Sequence, residues 1–206
     1  MNYPQGHALR AAIRAALEHA RSIDAMRRTQ STPHDREGAL HALAELHERV
    51  ARAARRLARK HELRCARGCH ACCIDGLTVF EIEAELIRRH HRDLLEQGEP
   101  HPVGACAFLA EDGSCRIYEH RPYVCRTQGL PLRWLEELED GELVELRDIC
   151  PLNDRGQPLE GLPAGDCWTI GPVEGKLAKL QLIFGQGKMN RVALRELFAR
   201  KGKAAT

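Results

Sequence analysis

Large aromatic side chains are scarce in this chain: Phe, Trp and Tyr make up 4% of 206 residues. Aromatics dominate the buried area of ordinary cores, so stability here has to come from aliphatic helix faces or from added cross-links. Long apolar runs are missing too. No stretch approaches the roughly 18–20 apolar residues needed to span a bilayer as a helix. Met1 to Ala20 holds no basic start followed by an unbroken apolar run, because Arg10 and Arg14 interrupt Leu9, Ile13 and Leu17. A cytoplasmic protein without a membrane segment is expected. A surplus of one charge is also lacking: 31 Lys and Arg face 29 Asp and Glu, for a formal net charge of +2, and so slight a balance gives no bulk-charge reason to expect a nucleic-acid partner. No phosphate-cradling glycine loop, serine-nucleophile elbow or His-Glu-x-x-His motif is present.

Cysteine is what the chain has in excess. Nine cysteines occur, with Cys65, Cys69, Cys72 and Cys73 crowded together and Cys106, Cys115 and Cys125 following in a turn-rich stretch. In a reducing compartment such clusters act as metal ligands or redox groups rather than disulfides, and an odd number does not fit a fully paired framework.

Length suits one domain with appendages. Leu9, Ile13, Ala16, Leu17, Ala20 and Ile23 recur at helical intervals, and after a break at Thr29–Pro33 a second stripe runs through Leu40, Leu43, Val50, Ala54 and Leu57. Thr32 as cap, Pro33 in the first turn and Asp35 near the positive helix end mark where this second helix starts. An antiparallel helical hairpin over residues 1–62 is expected. Arg49, Arg52, Arg55, Arg56, Arg59 and Lys60 crowd the second helix; without interleaved aromatics they read as a solvated face. His47 and His61 read as packed helix residues.

Residues 63–168 form the expected cysteine-rich unit, with metal replacing part of a sparse core. Thr78 to Glu81 has the form of a capping box that opens a third helix, buried through Ile82, Leu86 and Ile87 and ended by Gly98 and Pro100. Glu81, Glu83 and Glu85 read as surface carboxylates suited to a helix start. Asp112-Gly113 predicts a hairpin between Cys106–Leu109 and Cys115–Tyr118, and Asp140-Gly141 predicts another short hairpin or a helix-to-strand turn. The Gly- and Pro-rich run 151–167 reads as irregular loop. Helical periodicity returns over Lys176–Lys201, where Gly185 and Gly187 divide two helices in a C-terminal unit, 169–206. The fold class expected is mainly α with a small α+β part.

The spacing carries chemistry. Two residues between Cys69 and Cys72 let one turn aim both sulfurs at a single ion, and Gly68 frees that turn from the restriction a β-carbon imposes. Neighbouring side chains diverge, so Cys72 and Cys73 point to two ions or leave Cys73 as a buried thiol. Cys106, Cys115 and Cys125, with Cys150 or Cys167, complete a set of eight, enough for two four-cysteine sites. Arg121 and Arg126 are candidates to neutralise thiolate charge or hydrogen-bond sulfur, while Arg116 reads as structural. Trp134 and Trp168 read as core.

The block Cys65-x3-Cys69-x2-Cys72-Cys73, followed by Cys106-Ala-Phe-Leu, Cys115-Arg-Ile-Tyr118 and Arg121-Pro122-Tyr-Val-Cys125-Arg126, resembles the YkgJ-type cysteine-cluster family of zinc- or iron-chelating proteins. The resemblance implies a metal-chelating domain with eight cysteine ligands, expected here as Cys65, Cys69, Cys72, Cys73, Cys106, Cys115 and Cys125 with Cys150 or Cys167 as the eighth, Cys150 being the preferred one. It implies no reaction. The first gap has three residues where the family name suggests two. Cys65-x3-Cys69-x2-Cys72 also has the spacing of radical S-adenosylmethionine enzymes, but it follows a long helix and no alternating strand–helix series comes after it. The function expected is metal binding, through an iron–sulfur cluster or zinc. An iron–sulfur oxidoreductase or protein-modifying enzyme and a thiol redox protein are the alternatives. Partner proteins are expected on the helical surfaces.

Overall fold

The computed structural model describes residues 33–156 and 158–198. The first helix of the expected hairpin and the Thr32 cap lie outside the described residues.

Helix α1 runs from Pro33 to Lys60. Ala39, Leu40, Leu43, Leu46, Val50 and Ala54 fall on one buried stripe, while Asp35 in the first turn and Arg59 and Lys60 in the last complement the helix dipole. The stripe packs on helix α5 (Pro172–Phe184), and the Arg36 guanidinium lies 4.1 Å from the Phe184 ring centre. The α5 start is fixed by Gly171, whose φ of 121° suits glycine and whose N–H donates to Glu174 Oε2 at 2.6 Å.

Two small sheets complete an α+β molecule. In one, β1 (Thr78–Phe80) pairs antiparallel with β5 (Arg191–Ala193). In the other, β2 (Leu132–Glu137) lies between antiparallel β3 (Leu143–Asp148) and parallel β4 (Trp168–Thr169). The β2–β3 hairpin turns at Asp140-Gly141, as expected, with Gly141 at φ 85°. Helices α2 (Glu81–His90) and α3 (Arg92–Gln97) break at His91, and α4 (Tyr123–Arg126) is a single turn. Among the described residues no helix is long and apolar enough to cross a membrane.

Three local expectations fail for reasons visible in the backbone bonding. Thr78 does not cap α2; it belongs to β1, and its Oγ1 accepts from Arg191 Nε at 3.0 Å. The first amides of α2 go to long-range acceptors, Glu81 N to Asn190 O at 3.1 Å and Ile82 N to the buried Gln181 Oε1 at 3.0 Å. Residues 106–118 do not form a two-stranded hairpin. Cys106 N bonds to Cys73 O at 2.9 Å, which leaves one bridge, Leu109 with Cys115, around the Asp112-Gly113 turn, and Tyr118–His120 is a 3-10 turn. The second C-terminal helix is replaced, within the described residues, by β5 and a 3-10 turn at Leu194–Leu197. Leu194, Leu197 and Phe198 are buried all the same, so the apolar spacing marked the buried face but not the backbone conformation.

Core residues fall into two clusters. One joins α1, α2, β2, β4 and α5. The other surrounds Phe108, Ile87 and Ile117, includes Cys106, and has Cys73 and Cys115 packed against it.

Candidate metal centre

All nine cysteines are free thiols. The loop that leaves α1 carries Cys65 into a polar clamp made by Asn153. Asn153 Oδ1 accepts from Arg64 N at 2.8 Å, and its Nδ2 donates to Gly129 O at 2.9 Å and to Cys65 Sγ at 3.2 Å. Asn153 N also bonds to Cys150 O at 2.7 Å, so one buried amide ties the Cys150 turn to Cys65. Gly129, at φ 86°, closes the other side: a Cβ there would stand 2.5 Å from Cys65 Sγ. Only glycine allows this approach.

The next turns follow from local bonds. Cys69 N reaches Ala66 O at 3.0 Å and Cys73 N reaches His70 O at 2.8 Å, which winds Cys69, Cys72 and Cys73 around a tight bend. The Asp112–Ser114 turn packs against it, since a Cβ on Gly113 would lie 2.9 Å from Gly68 O. Cys106 is joined to the bend through Cys73 O. The α4 turn delivers Cys125, and Tyr123 N donates to Glu83 Oε1 at 2.8 Å to hold that turn in place.

The thiols influence one another electrostatically. Burial pushes the Cys65 thiol up, Asn153 opposes this, and the charges of Cys69, Cys150 and Cys72 push further. Burial also leads at Cys106, where Cys115 adds to it, and at Cys115, where Arg121 and Arg116 oppose it and Cys72 adds to it. Burial is the first cause of the rise at Cys125, ahead of Cys106, Cys115, Glu83 and Cys72. Cys73 donates its S–H to Cys72, which draws Cys72 down to about 6 and pushes Cys73 up, with Cys72, Cys106 and Cys125 adding to the rise. Cys72 acts on Cys65, Cys73, Cys115 and Cys125, so the eight thiols form one connected group, with Cys69 and Cys150 on the Cys65 side and Cys106 on the side of Cys73, Cys115 and Cys125. Cys167 stands apart: its charged neighbours are Arg147, Arg133, Glu145 and Asp166.

Among the described residues no three Cys, His, Asp or Glu donors already surround a common point as a bound ion requires. The donor chemistry nevertheless suits a thiophilic ion. A proton sits between Cys72 and Cys73 where a cation can replace it, the Gly129 cradle leaves room at the Cys65 sulfur, and a cavity of about 500 Å³ has Cys72, Cys125 and Cys150 on its wall with Trp134, Leu130 and Ile74.

Both predicted arginines lie at these thiols. Arg121 stacks 3.7 Å from the Tyr118 ring centre, donates to Tyr118 O at 2.8 Å, and its charge stabilises the Cys72 and Cys115 thiolates. Arg126 is buried, donates to Glu119 O at 2.7 Å, and is held down to about 10 by desolvation, with the Cys125 charge opposing. Arg126 Nε and Arg116 Nε are buried without a hydrogen-bond partner among the described residues.

Four contributors were not legible in the sequence. Asn153 and Gly129 lie in loops where nothing local marks them. Glu83, read as a surface carboxylate, is 4% exposed and meets His47 Nε2 at 3.2 Å; a carboxylate early in a helix carries no local mark of the face it buries. Arg195 donates to both Asp75 carboxylate oxygens, at 3.0 and 2.8 Å, and to Ala105 O at 2.9 Å, stapling the loop that enters Cys106.

Residues 64–151 match the family model CxxCxxCC, described as "Putative zinc- or iron-chelating domain". No curated protein and no solved structure matches the chain.

Proposed function

Given a CxxCxxCC domain at residues 64–151, we propose that this protein chelates zinc or iron through two four-thiolate centres. Cys65, Cys69, Cys72 and Cys150 supply the first, and Cys73, Cys106, Cys115 and Cys125 the second. The observation that carries this reading is one connected group of eight thiols with Cys167 outside it; the division into two fours follows the packing, in which Cys73, Cys106 and Cys115 join a core cluster that Cys65, Cys69, Cys72 and Cys150 do not. Four thiolates around one divalent ion leave a net charge of about −2, and Arg121, Arg116 and Arg195 are the cations that offset it. Bound zinc supplies closed, structural coordination; an iron–sulfur cluster supplies electron transfer or sensing, with its potential set by hydrogen bonds to sulfur such as the one from Asn153. Burial favours the protonated thiols, so a bound metal would have to displace their protons, and the arginines beside them screen the thiolate charge that results.

Metal analysis and the visible spectrum of protein purified without oxygen test the reading. Broad absorbance near roughly 400 nm with iron and sulfide identifies clusters; colourless protein with stoichiometric zinc identifies closed zinc sites. In either case Cys65→Ser and Cys125→Ser each remove about half of the metal, as expected when each centre loses one of its four ligands. Unchanged metal content in both variants overturns the assignment.

A further inference from the structure

Three histidines that take no part in the thiol sets converge where α2 ends. His90 and His91 close that helix, and His120 comes from the 3-10 turn Tyr118–His120. His91 Nε2 and His120 Nδ1 stand 3.0 Å apart. The His90 ring lies face to face on His120, with centroids 3.9 Å apart and planes 9° from parallel, and the His91 ring meets His120 edge-on at 5.0 Å.

We propose that His91 Nε2 and His120 Nδ1, joined by a nitrogen of His90 after ring rotation, form a binding site for a borderline divalent transition-metal ion such as zinc or nickel. Two imidazole nitrogens bound to one ion at roughly 2.0–2.1 Å stand roughly 2.9–3.4 Å apart for angles between a right angle and the tetrahedral value. The observed 3.0 Å falls in that interval. The hydrogen bond there now holds a proton on the line between the two nitrogens, whereas a shared ion sits to one side of that line. Binding needs the proton to move to the other nitrogen of its ring and the rings to turn toward the ion, so both imidazoles stay neutral and no proton is lost.

The surroundings favour that neutral, ligating form. Burial holds the His91 imidazole below its ordinary range, with the neighbouring His90 charge adding to the effect. Burial does the same at His120, followed by His90, His91 and Arg126, with Glu119 opposing. A cluster of mutually repelling imidazoles is poorly suited to holding protons and well suited to sharing one multivalent cation. His90 is exposed, so its ring is free to turn. An ion here would stitch the end of α2 to the segment between Cys115 and Cys125. The site does not depend on the thiolate centres being loaded.

Nickel(II) chloride titrated into the full-length protein as purified is the probe, followed by calorimetry and by nitrogen-15 spectra of the histidine rings. Wild type should bind Ni(II) at a site that His91→Gln and His120→Gln each weaken about tenfold or more, the scale on which metal sites respond to lost partners. His41→Gln, which alters an exposed histidine paired with Glu45 on α1, should leave that affinity unchanged. Should either cluster variant fail to fold, the wild-type spectra decide alone, because substoichiometric Ni(II) must broaden the His91 and His120 ring signals before those of other histidines. Absence of Ni(II) binding, equal affinity in the cluster variants, or broadening confined to other histidines overturns the proposal.

Discussion

The two proposed thiol sets are held by different kinds of force. Cys73, Cys106 and Cys115 belong to or pack against a hydrophobic cluster built on Phe108, Ile87 and Ile117, so the second set is fixed by the same burial that stabilises the fold. Cys65, Cys69, Cys72 and Cys150 belong to neither cluster, and their set is drawn together by loop turns and the Asn153 amide. Cys65 is exposed whereas Cys106 is buried. One half of the proposed centre is thus part of the core and the other half is a polar clasp laid over it.

The largest effect should come from the buried side. Cys106→Ser puts a hydroxyl into an apolar site, which costs about 1–3 kcal/mol when it finds no partner, and it also removes a ligand; thermal unfolding and metal content should both fall, and an unchanged melting temperature would contradict a core role for this set. On the clasp side, Gly129→Ala forces a left-handed backbone onto alanine at about 1–2 kcal/mol and drives its Cβ toward the Cys65 sulfur. Metal should be lost from the first centre while the second keeps its own, so a chelator competition should show one weakened phase of two. Equal weakening of both phases would mean that the two sets act as one.

A subtler difference concerns reactivity in metal-free protein. Cys72, at about 6 against an ordinary 9.0, is a thiolate at neutral pH, while burial keeps Cys65, Cys106 and Cys115 protonated. Because the folded value is depressed, the stability this group contributes is complete above 9.0 and is lost as pH falls toward 6. Alkylation at pH 7 followed by peptide mapping should label Cys72 first, at a rate that falls as pH drops through about 6. Preferential labelling of Cys65, the more exposed residue, would show that exposure outweighs thiolate character. The smallest effect belongs to Cys167→Ser. Its sulfur lies 3.9 Å from Arg147 Nη1 and away from both sets, so metal content should not change.

The helices and turns that could be read directly are those with local causes. The α1 stripe, the Asp140-Gly141 hairpin and the α5 periodicity depend on residues within a few positions of one another, and all three formed. The Thr78 capping box and the second C-terminal helix did not, because Asn190, Gln181 and strand β1 offered the same backbone groups better partners from 99 or more residues away. Glu83 shows the same limit in the site: a carboxylate in a first helical turn looks like surface until His47, 36 residues earlier, and the Tyr123 amide turn it inward.

The sequence by itself determined the donors. Thiol type, the Cys69-x2-Cys72 turn, the doubled Cys72-Cys73 and the arginines beside Cys115 and Cys125 are set by covalent neighbours, and local spacing is enough to aim them. Only the tertiary structure decided the grouping. Whether Cys150 or Cys167 stands beside Cys65 depends on where a Gly- and Pro-rich loop is pinned, and that is settled by one buried amide spanning 88 residues, an interaction that no local pattern encodes because its energy exists only once the chain has folded.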